Sequence, residues 1–242
     1  MRKNVGYLLL LMVGLFLAAC TINRLDEGKS VITLKENAAG NPVTISLTKG
    51  ARWSHKFTPG PFVIYVYPQV VFWIENGNGE LLETIYITGT NGKYSKNATK
   101  KKLDDEFFRQ CFPVWADKLI QAHKKLPTAD DPYPDTITSA TPQSSFDLNT
   151  KLGEMPALFT IYAEVNKSMD YNEVYTKEAT DWVGQPSVVY AAEIGEIVKG
   201  QAYSLKPVGH SAIVSDDGSL HRDFEGIDTA LELVSEIHVV FQ

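Results

Sequence analysis

Side-chain oxygens crowd the stretch "SMDYNEVY", where Asp170, Asn172 and Glu173 follow Asn166. These are ligands of the kind that Ca²⁺ gathers in sets of about 6–8. The spacing lacks the glycine-turn order of a calcium loop, and a polar turn after a strand accounts for the same residues. His210 and His221 flank Asp217-Gly218, a hairpin-turn dipeptide, so the two imidazoles are expected to face each other across a hairpin. Asp216 or Asp223 would add a carboxylate, but zinc requires three or four converging ligands. The stretch "PDTITSATP" sets Asp135, Thr138, Ser139, Ala140 and Thr141 in a loop. A hydroxyl among small neighbours there is open to another enzyme's active site, although such residues also cap turns by local hydrogen bonds. No Gly-x-Ser-x-Gly turn is present. The acidic pairs Asp104-Asp105 and Asp130-Asp131 have no neighbour that would separate their pKa values. No catalytic residue and no resident metal are assigned, and the lone thiol of "FFRQCFPVW", Cys111, reads as a buried small hydrophobe.

The elements that must position these residues are mostly β. Alternating runs at 31–34 and 43–47, with "NAAGNP" between them, predict a hairpin. A strand is expected over 62–67, stopped by Pro68, because proline cannot donate to a ladder. Asn78-Gly79 joins 70–74 to 82–87 in a second hairpin, expected at the centre of the fold. Leu103, Phe107, Phe108, Val114, Trp115, Leu119 and Ile120 recur at helical spacing, giving a helical insertion over about 102–125 that Pro113 interrupts or restarts. A long polar loop follows over 126–145. Strand signals return at 157–165, 186–194 and 202–207, with a short helix over 227–233 and a closing strand over 236–241. Short strands with one helical insertion predict a mostly β, antiparallel sandwich over 31–242. Trp53, Trp73, Trp115 and Trp182 either fill its core or line a groove.

A net charge of −6 argues against a nucleic-acid partner, which would need a basic face. The chain starts with Arg2 and Lys3, continues with an apolar run to Leu17, and places small residues before Cys20, the layout of a secretory signal over 1–19. Leu17-Ala18-Ala19-Cys20 resembles the lipobox of bacterial lipoproteins, which implies lipidation of Cys20 and a tether over 20–30. Thr21 follows where aspartate marks inner-membrane retention in well-studied systems, so the expected location is the periplasmic side of the outer membrane, with the membrane as one partner and an envelope protein as another.

Four segments taken together, "YPQVVFWIENGNGELLETIYIT", "FPVWADKL", "PDTITSATPQSSFDLNTKL" and "FTIYAEVNKSMDYNEVY", resemble a family of periplasmic proteins of unknown function. The resemblance spans about 67–194 and implies an immunoglobulin-like sandwich similar to that of flagellar hook-capping proteins. It implies no reaction. Asp135, Thr138, Ser139, Ala140 and Thr141 also resemble, residue by residue, the acceptor motif of periplasmic flavin transferases, with Ser139 where glycine is usual. That likeness implies FMN esterified to Thr141, the sole cofactor the chain suggests.

Overall fold

The computed structural model describes residues 28–58, 60–88, 111–123, 126, 142–213 and 218–242. Among the described residues twelve strands run in chain order: β1 (Ser30–Thr33), β2 (Asn41–Lys49), β3 (His55–Phe57), β4 (Ile64–Val66), β5 (Gln69–Asn76), β6 (Leu81–Ile87), β7 (Phe146–Leu152), β8 (Phe159–Asn166), β9 (Val188–Ile194), β10 (Ala202–Ser211), β11 (Leu220–His221) and β12 (Val234–Phe241). Helix α1 (Pro113–His123) stands between β6 and β7, the one-turn α2 (Lys177–Thr180) between β8 and β9, and a 3-10 turn (Thr229–Glu232) precedes β12.

A single path of hydrogen-bonded strands, β1-β7-β2-β12-β10-β9-β8-β5-β6, carries nearly the whole domain. All its pairs are antiparallel except β1 with β7. The path folds back on itself at β10, whose first half pairs with β12 and whose second half pairs with β9, the register shifting between Pro207 and Gly209. A proline has no N–H for the ladder, and a bulge is where a strand tolerates that and bends. The folding back brings the two ends of the path face to face. Phe146 of β7 lies 6.5 Å from Phe72 of β5 and 5.9 Å from Tyr86 of β6, ring centre to ring centre. The fold is thus mostly β, antiparallel and sandwich-like, as the strand spacing predicts.

Alternation makes the layers. Val43, Ile45 and Leu47 of β2 and Phe146, Leu148 and Leu152 of β7 point into the main core, while Thr44, Ser46, Asp147 and Asn149 form a polar outer face. Strand β5 is buried on both faces: Val70, Phe72 and Ile74 enter the main core, and Val71 and Trp73 enter a second core under α1. That double burial explains the unbroken apolar run "VVFWI". Proline 113 begins α1, at the one helical turn where a missing N–H costs nothing. Trp115 Nε1 donates to Thr84 Oγ1 (2.9 Å), and Lys118 reaches Glu75 (3.2 Å) and the Gly79 carbonyl (2.8 Å). Gly79 occupies φ +78, the left-handed turn geometry that its Asn-Gly step predicts.

Two placements differ from the sequence reading. The runs at 31–34 and 43–47 do not pair with each other; β7 lies between β1 and β2. The connection crosses the end of β7, where Lys151 donates to the carbonyls of Glu36 (2.9 Å) and Ala38 (3.0 Å). The β5–β6 hairpin ends the strand path rather than standing at its centre, and α1 covers the face that would otherwise meet solvent. Strand β7 itself was not predicted, and β10 continues to Ser211, beyond the expected 207. The part of the helical insertion before Cys111 lies outside the described residues.

Candidate functional site

The strand period of two puts Glu164 of β8 on the face beneath α1, with no exposed surface. Its carboxylate accepts from the first-turn amides of α1, Val114 N (3.3 Å) and Trp115 N (2.9 Å), and from Ser187 Oγ (2.5 Å). Those three bonds favour the charged form and the helix dipole adds to them. Burial nonetheless wins, and pushes the carboxyl up to about 7. The neighbouring Cys111 thiol is driven up by burial and by the Glu164 charge, so it is an inert apolar group.

From Ser187 the polar chain continues to Ser211, whose Oγ accepts from Ser187 N (3.2 Å), and then to His210, whose Nδ1 lies 2.7 Å from the Ser211 carbonyl. A carbonyl only accepts, so Nδ1 carries the proton. His210 and His221 are paired across β10–β11 and stacked at 5.2 Å, as the Asp217-Gly218 turn predicts. Asp223 Oδ1 is 3.7 Å from His210 Nε2. Neither ring nitrogen of His210 meets a serine hydroxyl, so this chain of groups holds protons without activating a nucleophile.

A hydroxyl–imidazole–carboxylate series does occur on the outer face. Ser204 Oγ of β10 is 3.0 Å from His238 Nδ1 of β12, and His238 Nε2 is 2.6 Å from Glu236 Oε1. Ser204 and His238 are directly paired across β10 and β12, and Glu236 follows on β12 beside a register shift. Nucleophilic sites place the serine on a sharp turn or beside a helix N-terminus, where backbone amides stabilise an oxyanion.

Asp170, Asn172 and Glu173 are not brought into one set. Asp170 Oδ1 faces the buried Lys167 ammonium (3.4 Å), which also donates to the Arg52 carbonyl (2.7 Å). Asn172 Oδ1 accepts from Val174 N (3.0 Å) and Tyr175 N (2.7 Å) to close a turn, and Glu173 is exposed. Asn166 does come near Asp170: both bond to Gln185, through the Gln185 carbonyl and amide. Asn166 Oδ1 and Asp170 Oδ2 are left without a protein partner. Among the described residues no group of three or more His, Cys, Asp or Glu is placed to hold a metal ion.

One pole of the sandwich gathers the remaining features. Ser30 N bonds to the Ser145 carbonyl (3.0 Å), and Ser145 Oγ accepts from Lys49 N (3.0 Å). Trp53 Nε1, in the core, donates to the carbonyl of Pro142 (3.3 Å), the residue after Thr141. Cys20 and the five flavin-motif residues, Asp135, Thr138, Ser139, Ala140 and Thr141, lie outside the described residues. No described helix is long and apolar enough to cross a membrane.

Glu164 was missed by the sequence reading. A single acid in the apolar strand "FTIYAEVN" points outward by alternation, and an outward acid reads as solvated. The usable signal was the apolar helix "FPVWADKL", which had to cover some outer face. The Ser204–His238 pair depends on register between strands far apart in sequence and left no local trace. Comparison with protein-family models, curated proteins and solved structures gives no match to this chain.

Proposed function

We propose that this chain is a lipid-anchored cell-envelope protein acting as a non-catalytic binding or assembly module, held through Cys20 on the periplasmic side of the outer membrane. One observation carries the reading: exposed apolar surface is concentrated rather than scattered. Of the ten large hydrophobic side chains exposed among the described residues, five (Phe57, Phe62, Val63, Ile64 and Tyr65) lie on the β3–β4 hairpin. Concentrated apolar surface marks a contact site, whereas Glu164 is internal and Ser204 and His238 face each other as a directly paired position of two strands.

The intact mass of the protein purified from its own membranes tests the anchor. The expected mass is that of Cys20–Gln242 plus acyl chains; an unmodified Cys20 overturns the anchor. A further increment equal to FMN, mapped to Thr141 and lost in Thr141→Ala, would replace the binding module with an electron carrier. Catalysis is tested separately with a fluorophosphonate ester. Ser204 is expected to remain unlabelled, and labelling of Ser204 that disappears in His238→Ala would make the outer-face series an active site.

A further inference from the structure

We propose that the β3–β4 hairpin is a lipid-docking element, which lays its apolar tip in the interfacial layer of the bilayer that holds the anchor. The inference rests on the lipid-anchored reading above and names what the exposed hairpin contacts. Direct cross-strand pairs share a face, so Phe57 and Ile64 lie on one side of this ribbon and Lys56 and Tyr65 on the other. Both sides are open: Phe62 is 69% exposed, Tyr65 58%, Val63 52%, Ile64 49% and Phe57 37%. A ribbon apolar on both faces does not cover its own domain. It is rooted at its base by the buried Trp53 and by Tyr67, which packs against the main core.

The position of the tether selects lipid as the occupant. Ser30 begins β1 beside the end of β2, separated from it only by β7. That is two strand spacings, about 10 Å. From Lys49 the chain passes through Gly50–Ser54 directly into β3. The described chain therefore begins, on its way from Cys20, at the pole from which the hairpin springs. Ten peptide links separate Cys20 from Ser30 and span at most about 35 Å. An anchor on that leash keeps this pole within about 35 Å of the bilayer surface.

The chemistry of the tip agrees. Pro61, beside Phe62, brings no N–H donor into a medium that could not satisfy one. Phe62 and Tyr65 are aromatic residues of the kind that settle at the membrane–water interface. Lys56 is exposed on the hairpin, placed to meet lipid phosphates while apolar groups enter the acyl boundary, and Arg52 beside it pairs with Glu232 (3.4 Å).

The test places a spin label on Val63→Cys in the full-length protein, incorporated into vesicles of phosphatidylethanolamine and phosphatidylglycerol. Val198→Cys, exposed at the opposite pole between β9 and β10, serves as the control; Cys111 is buried and does not compete for label. At Val63, relaxation by oxygen is expected to exceed relaxation by a water-soluble nickel chelate, with the order reversed at Val198. Chelate-dominated relaxation at both positions overturns the proposal. So does spin–spin broadening between Val63 labels, which would make the hairpin a contact between two copies. Intact mass of the same preparation reads the anchor independently. If Cys20 carries no acyl group, the anchored reading fails, and the same measurement on a Cys20→Ser background decides whether the hairpin alone enters the lipid.

Discussion

Raising the pH from 4.5 to 7 is expected to cost the folded protein about 3 kcal/mol through Glu164 alone, at 1.36 kcal/mol per unit of pKa difference. The sign is opposite to that of a surface carboxylate in an ion pair. Folded, the Glu164 carboxyl titrates near 7 because burial penalises its charge; unfolded, it returns to about 4.5. Between those values the folded state keeps a proton that the unfolded chain has released. Stability is therefore complete below the unfolded value and falls as pH rises toward the folded one. Glu164→Gln keeps the shape and an acceptor for Trp115 N, and cannot titrate. Urea unfolding at several pH values between 4.5 and 8 should show a wild-type decline that the Gln variant lacks. Equal slopes in the two proteins would locate the titration elsewhere. Glu164→Ala should be destabilised at every pH, by roughly 3 kcal/mol or more, since it strands the Val114 and Trp115 amides and the Ser187 hydroxyl inside the protein.

The second large effect is expected at Phe146. This ring touches Phe72 and Tyr86 and so joins the two ends of the strand path across the core. Phe146→Ala removes a fully buried ring and leaves a cavity that β-strands fixed on both sides cannot collapse, a loss of about 3–5 kcal/mol. For a domain of this size that lowers the melting temperature by roughly 10 °C. Leu158→Ala, at an exposed position beside the β5–β6 turn, provides the comparison and should stay within about 2 °C. A Phe146→Ala protein that melts with the Leu158→Ala variant would mean that the sheet is not closed in solution.

The regions legible in the sequence were those where chemistry is local. Asn76 and Gly79 build the β5–β6 turn from within: the Asn76 side chain accepts from the Asn78 and Glu80 amides, and Gly79 supplies the positive φ. Pro113 announced the start of α1, Pro68 the break before β5, and Asp217-Gly218 the facing of His210 and His221. The misplaced elements were those decided by partners distant in the chain. Val31 and Val43 each alternate as strand residues must, and nothing local says that Phe146–Leu152 will come between them. The same holds at the site. The Asp170 carboxylate looked like a cation ligand because its neighbours are oxygen-rich, yet the nearest cation is Lys167, three residues earlier in the chain.

By itself, the sequence determined the β-rich class, the β5–β6 turn and the alternation of strands such as β2, because periodicity and turn chemistry act over a few residues. Tertiary structure alone decided that β7 divides β1 from β2, that β10 folds the sheet onto itself, and that α1 converts Glu164 from an outward acid into a buried one. Each of these depends on which surfaces remain apolar once neighbouring strands have paired. That condition is satisfied only by the whole chain at once.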